Sequence, residues 1–168
     1  QFKMKKYIFL FAILLASCNA PVDEPKGSGA WAGDPEETFV VGSDEMTEMF
    51  ANFIQAHNDR DIEAIKALEA EDIRIDLPDG TSINGAENHG EALASWFESD
   101  QNPQWSPFWV MPYVGSPSGQ TWIVAGHSLT QNIDGEEVTV VQMIDAQIEN
   151  GLIKWAIIYE KQSPISQN

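Results

Sequence analysis

With one cysteine in 168 residues, the chain can close no internal disulfide, so its core has to hold without covalent cross-links. Basic side chains are also scarce: nine Lys and Arg stand against 26 Asp and Glu, a formal charge of −17. Nucleic acid and anionic lipid surfaces are bound through Lys and Arg patches, so this deficit argues against either as a partner of the folded part. One apolar run, Tyr7 to Leu15, stands out, and it is too short to cross a bilayer, which takes about 20 residues. Histidine is limited to His57, His89 and His127, whose spacing matches no metal-ligand motif. A zinc triad would need a convergence that spacing cannot certify, so no metal and no other cofactor is assigned. The acidic run Glu69, Glu71, Asp72, Asp76 and Asp79 lacks the regular spacing and central glycine of a calcium loop, and reads as a solvated helix end and turn.

What is present begins with a positive start, Lys5 and Lys6, ahead of the apolar run, and the stretch Leu15-Ala16-Ser17-Cys18 resembles the lipobox of bacterial lipoproteins. The resemblance implies a signal peptide over residues 1–17, with an extension before Met4, and a mature chain that starts at an acylated Cys18. The expected location is the bacterial cell envelope, lipid-anchored on the periplasmic side or the cell surface, with Cys18 as the membrane contact. Without the leader, 6 basic residues remain against 26 acidic ones, a net of −20. Residues 18–43 hold Pro21, Pro25 and Pro35 with Gly27, Gly29, Gly33 and Gly42, and cannot build a periodic apolar face. They read as a flexible tether, with Trp31 and Phe39-Val40-Val41 docking back on the surface of a domain spanning 44–163; residues 164–168 are a tail.

The domain divides into a helical half and a strand half. Met46, Met49, Phe50, Phe53, Ile54 and His57 repeat with helical spacing after a cap at Ser43 or Asp44. Asp61 caps a shorter helix carrying Ile62, Ile65 and Leu68. Ile73, Ile75 and Leu77 alternate with polar residues up to the turn Pro78-Asp79-Gly80, and Thr81 to Asn84 return as a short strand. A third helix, Ala86 to Glu98, puts His89, Leu93, Trp96 and Phe97 on one face. Four longer strands follow, Trp105–Tyr113, Thr121–Ile133, Glu137–Ile148 and Leu152–Lys161, and the joints Asp134-Gly135 and Asn150-Gly151 are signals of two-residue hairpins. Helices first and an antiparallel meander afterwards is the order of an α+β domain with its helices on one face of a curved sheet.

The segments HNDRDIEAIKALEAEDIRIDLPDG, INGAE and ENGLIKWAIIYEK resemble the nuclear transport factor 2-like superfamily, and within it the SnoaL-like branch. This resemblance implies a cone-shaped fold: three N-terminal helices packed on a curved antiparallel sheet, open at one end to a pocket. It implies no single reaction, because the superfamily holds isomerases, cyclases, dehydratases, hydrolases and non-catalytic members. Carrying over the ketosteroid isomerase residues puts Phe53 in the place of the oxyanion tyrosine and Leu77 in that of the general base, and neither can exchange a proton. Their second acid falls near Ile144, while Asp145 points to the other side of the strand.

Alternation counted from the hairpin glycines places Ile123, Ala125, His127 and Leu129 on the pocket side, with Val140, Gln142, Ile144 and Ala146 beside them and Lys154, Ala156, Ile158 and Glu160 on the last strand. With Phe53, His57, Leu77 and Trp96 from the other half, the expected lining is mostly apolar and suits a small hydrophobic or amphipathic ligand. His127 is the candidate proton-transfer residue, with Glu160, Asp76, His57 or His89 as possible partners; a histidine satisfied by its neighbours is the plainer reading. The outer face of the last strand, Ile153, Trp155, Ile157 and Tyr159, is apolar as well, which suggests a homodimer packed through the sheet. Three functions follow as expectations: a ligand-binding domain; a dehydratase-, isomerase- or cyclase-like enzyme using His127 with a carboxylate; or a protein-interaction module of the envelope.

Overall fold

In a computed structural model, residues 26–161 are described; the leader, Cys18 and the tail lie outside them. The chain runs β1 (Thr38–Val41), α1 (Asp44–Asp59), α2 (Ile62–Lys66), β2 (Glu69–Asp76), β3 (Ser82–Asn84), α3 (Ala86–Phe97), β4 (Gln104–Ser116), β5 (Thr121–Ile133), β6 (Glu136–Glu149) and β7 (Leu152–Lys161). Among the described residues no helix is long and apolar enough to cross a membrane.

The two hairpins form where the dipeptides tolerate left-handed backbone: Asp134 and Gly135 have φ of 52° and 87°, Asn150 and Gly151 of 54° and 78°. They fold β5, β6 and β7 into a meander, and the whole seven-stranded sheet is ordered β1-β4-β5-β6-β7-β2-β3. Neighbours are antiparallel except β2 and β7, which run parallel. The fold is α+β, as expected.

All three helices supply the core against one sheet face. α1 buries Phe50, Phe53, Ile54 and His57, α2 buries Ile65, and α3 buries His89 and Leu93. Fully enclosed side chains such as Phe50, Ile65, Ile73, Ile123 and Ile153 each contribute about 1.5–3 kcal/mol of burial. α1 ends because Arg60 turns left-handed, with φ 63°. Asp61 then starts α2 by accepting the Ala64 N–H at 3.0 Å. Ser43 precedes α1 with extended backbone, yet its hydroxyl makes no cap bond; Asp44 and Glu45 provide the negative charge at that end.

Two features depart from the alternation pattern. Phe39-Val40-Val41, placed in the tether by composition, form β1 and pair with Gly115, Val114 and Tyr113, so ordered sheet begins before residue 44. The reason is that β4 continues to Ser116 and offers an open edge, which a short apolar segment can satisfy. At the other end of β4 the same edge is closed by α1: Asn58 Nδ2 donates to the Trp105 carbonyl at 2.9 Å, and Asn58 Oδ1 accepts the Trp105 N–H at 2.8 Å. In β7, Ile153 and Trp155 face Ile148 and Gln147, adjacent residues of β6, so Lys154 is an extra, bulged residue. The bulge turns Lys154 out to an ion pair with the exposed Asp72, and Ile153 takes the buried position instead. The expectation that Lys154 faces the pocket is thereby corrected.

Candidate functional site

Between the helices and the concave face of the sheet lies a cavity of about 500 Å³. Its walls are mainly apolar, with Ile73, Ile75, Ile83 and Leu93 among them. Of the residues expected there, Phe53, His57, Leu77, Trp96, His127, Leu129, Gln142, Ile144, Ala156, Ile158 and Glu160 do line it. Ile123, Ala125, Val140 and Ala146 do not, although all four are buried. Alternation assigns a residue to a face of the strand but not to a depth along it, and these four pack into the core beyond the cavity.

A polar row crosses the cavity wall where three strands bring residues into register: His127 opposite Gln142, and Gln142 opposite Glu160. His127 Nε2 lies 2.9 Å from Gln142 Oε1, and Gln142 Nε2 donates to Glu160 Oε2 at 2.8 Å. Because the amide nitrogen is committed to the carboxylate, its oxygen can only accept, so the network assigns the proton of neutral His127 to Nε2. Nδ1 is then a bare lone pair, buried and without a partner among the described residues. Burial pulls the His127 pKa below its usual value against the opposing effect of the Gln142 bond, so the ring is held neutral. The immediate partner of His127 is thus an amide, and the carboxylate is one side chain further away. Asp76 is no partner at all: it accepts from Ser82, from Arg74 and, at 2.8 Å, from Trp155 Nε1, contacts that hold its pKa well below the carboxylate range.

The helical wall adds two more imidazoles. His57 Nδ1 donates to the Phe53 carbonyl one turn back, at 2.8 Å, and the ring packs edge-on against Phe53 and Trp105. Desolvation is the main cause that lowers its pKa to about 4, with the nearby His89 and His127 adding to the effect. His89 Nδ1 lies 2.6 Å from Glu69 Oε1, and the Glu69 side chain is completely buried. This overturns the reading of Glu69 as part of a solvated acidic run. β2 starts at Glu69 itself, but the inward parity of Ile73 and Ile75 does not carry back to it: Glu71, of the same parity, is exposed, and the pairing with β7 shifts between Glu69 and Arg74, so no local signal points to Glu69. Glu69 orients the His89 ring and leaves Nε2 as the nitrogen available to the cavity. Although all three histidines line the one cavity, no group of three or more metal-binding side chains among the described residues is placed to hold an ion.

Neither a protein-family model nor a curated protein sequence matches the chain. Solved structures do match. A putative ketosteroid isomerase from Kribbella flavida superposes with a TM-score of 0.60 at 17% identity, over 76% of this chain and 86% of that one. A nuclear transport factor 2-like protein from Cytophaga hutchinsonii gives 0.52 at 15%, over 68% and 88%. The chain has the nuclear transport factor 2-like fold. A third structure with that fold, a Mycobacterium tuberculosis protein in complex with estradiol-17beta-hemisuccinate, matches with 0.56 at 20%, over 70% and 95%. Identities this low establish the fold alone. Phe53 and Leu77, which the sequence resemblance sets in the places of the isomerase tyrosine and aspartate, both line the cavity.

The buried histidines make stability depend on pH. Below its ordinary value of 6.5 the unfolded His57 takes up a proton, while the folded ring resists until about pH 4. Stability is therefore complete above pH 6.5 and declines toward about pH 4, His57 alone contributing on the order of 3 kcal/mol to the loss. Urea denaturation across this window should show a falling midpoint, with a shallower slope in His57→Gln; a midpoint that does not move would contradict a neutral buried His57.

Proposed function

We propose that this chain is an exported, lipid-anchored protein whose SnoaL-like domain binds a small, largely apolar molecule bearing at least one hydrogen-bond donor. The observation that carries the reading is the mainly apolar cavity of about 500 Å³, with His127 among its lining residues and the Nδ1 of that ring buried without a partner among the described residues. A buried acceptor without a partner costs about 1–3 kcal/mol, which a ligand hydroxyl or amide reaching Nδ1 recovers. The apolar walls provide affinity, and the histidines select orientation. The estradiol-17beta-hemisuccinate complex of one structural neighbour is in keeping with such a ligand.

A second reading is favoured by the Glu69–His89 pair. A carboxylate that holds one ring nitrogen leaves the other as a positioned base, the arrangement needed for proton transfer in an isomerase-, dehydratase- or cyclase-like reaction. This reading moves the acid–base role expected of His127 and Glu160 to His89 with Glu69, because only the latter histidine has a carboxylate as its direct partner.

The outer sheet face supports a homodimer. Trp109, Gly126, Met143 and Tyr159 form one cross-strand row, with Trp109, Met143 and Tyr159 exposed at 43, 44 and 52%. A Cβ on Gly126 would lie 2.7 Å from the Trp109 indole nitrogen, so the glycine lets that ring lie flat on the sheet. An apolar strip of this kind is covered most simply by a second copy.

Nile red, a neutral apolar probe, is expected to bind one-to-one, and Ile158→Trp, which fills the cavity from β7, to weaken it at least about tenfold. Undiminished binding in that variant would place the probe elsewhere and remove the reading. If turnover of any substrate is found, Glu69→Gln should lower kcat at least about tenfold while Nile red still binds; parallel loss of both would leave Glu69 a structural role only. Sedimentation should show a dimer that Met143→Glu dissociates, and a monomeric parent chain would dispose of the sheet interface. In a bacterial host, Cys18→Ser should abolish incorporation of a labelled fatty acid; labelling that persists would refute the anchor.

A further inference from the structure

A second cavity, of about 210 Å³, lies between the turn preceding β1 and the neighbouring ends of β4 and β5. It is lined by four aromatic rings, Trp31, Phe39, Tyr113 and Trp122, and by two acids, Asp34 and Glu37. Tyr113 and Trp122 are register partners whose rings lie within 7° of parallel at 6.5 Å, and Phe39 meets Tyr113 edge-on at 5.4 Å. Trp31 stands at the mouth, 57% exposed, on a turn closed by the Asp34 N–H donating to the Trp31 carbonyl at 3.0 Å.

Glu37 is only 8% exposed. Its carboxylate accepts the Ser118 N–H at 3.1 Å and the Ser118 hydroxyl. It rests on Gly115, where a Cβ would come 2.1 Å from Glu37 Oε1, so the backbone at that point is shaped around the acid. No Lys or Arg is among the residues lining the cavity. A carboxylate taken out of water gains from a cation, and here the surrounding surface is aromatic.

We propose that this cleft binds a small free organic cation of the quaternary or methylated ammonium class. Such a head has little capacity to donate hydrogen bonds but a diffuse positive charge, so it is recognised by ring faces, at about 0.5–2 kcal/mol each, and by carboxylates nearby. A metal ion is less well served: only two carboxylates line the cavity, and no group of three or more His, Cys, Asp or Glu side chains among the described residues is placed to hold one. The net charge of −17 favours a ligand that is positive overall over zwitterions carrying a phosphate or carboxylate.

Calorimetric titration of choline chloride into the full chain tests the site. Saturable one-site binding is expected, with 3,3-dimethylbutan-1-ol, the neutral analogue of the same shape, at least about tenfold weaker. Trp31→Ala and Asp34→Asn, both in the turn, should each weaken choline at least about fivefold with unchanged circular dichroism. Equal affinity for choline and the alcohol, or choline binding indifferent to Trp31→Ala, overturns the proposal. So does binding to phosphatidylcholine vesicles without binding to free choline, which would make the occupant a membrane headgroup.

Discussion

An imidazole with no exposed surface can stay in a protein only if its environment settles its charge and its proton: burial keeps His127 neutral, and the amide of Gln142 fixes which nitrogen carries the hydrogen. The amide is itself oriented by Glu160, so the half-exposed carboxylate on β7 decides, through one side chain, which nitrogen of a buried ring on β5 carries hydrogen. The strand register makes this possible: three residues on three adjacent strands face the same way at the same level. A slip of one residue in either pairing would turn the row to the outer face and leave its polar atoms unpaired.

The opposite wall is built on the same principle with different parts. There the helices present His57, satisfied by its own backbone, and His89, satisfied by Glu69 from β2. Between these polar points the surface is hydrocarbon, so the cavity is dry in character with a few directional groups. The sheet edges let the arrangement persist. β1 and Asn58 close the open side of β4, and the bulge at Lys154 lets β7 pair with β6 while sending a charge out of the core.

Helices α1 and α3, the two tight hairpins and the face assignment along β5 and β6 are legible from residue spacing, because periods of 3.6 and 2 and the Asp-Gly and Asn-Gly dipeptides are local properties. Eleven of the candidate ligand and catalytic residues lie where the alternation and the resemblance put them, around the cavity. What escaped were features set by distant segments. Glu69 belongs to a charged stretch and looks solvated, until α3 is folded over it and supplies His89. Phe39-Val40-Val41 stand out as a segment that docks back on the domain, but their place as a strand of the sheet does not, because their partner is a strand more than 70 residues later. Lys154 follows the alternation on paper, and only the pairing with β6 shows an extra residue in β7.

The sequence by itself determined the absence of disulfides, the acidic character, the order of helices and strands, and the general apolar lining, since each depends on composition or on neighbours within a few residues. The tertiary structure alone decided which polar groups meet: Gln142 rather than a carboxylate on His127, Glu69 on His89, and Asp34 and Glu37 beside four aromatic rings. The physical reason is that hydrogen bonds and buried charges are fixed by distances of about 3 Å between segments far apart in the chain, and no local periodicity records those distances.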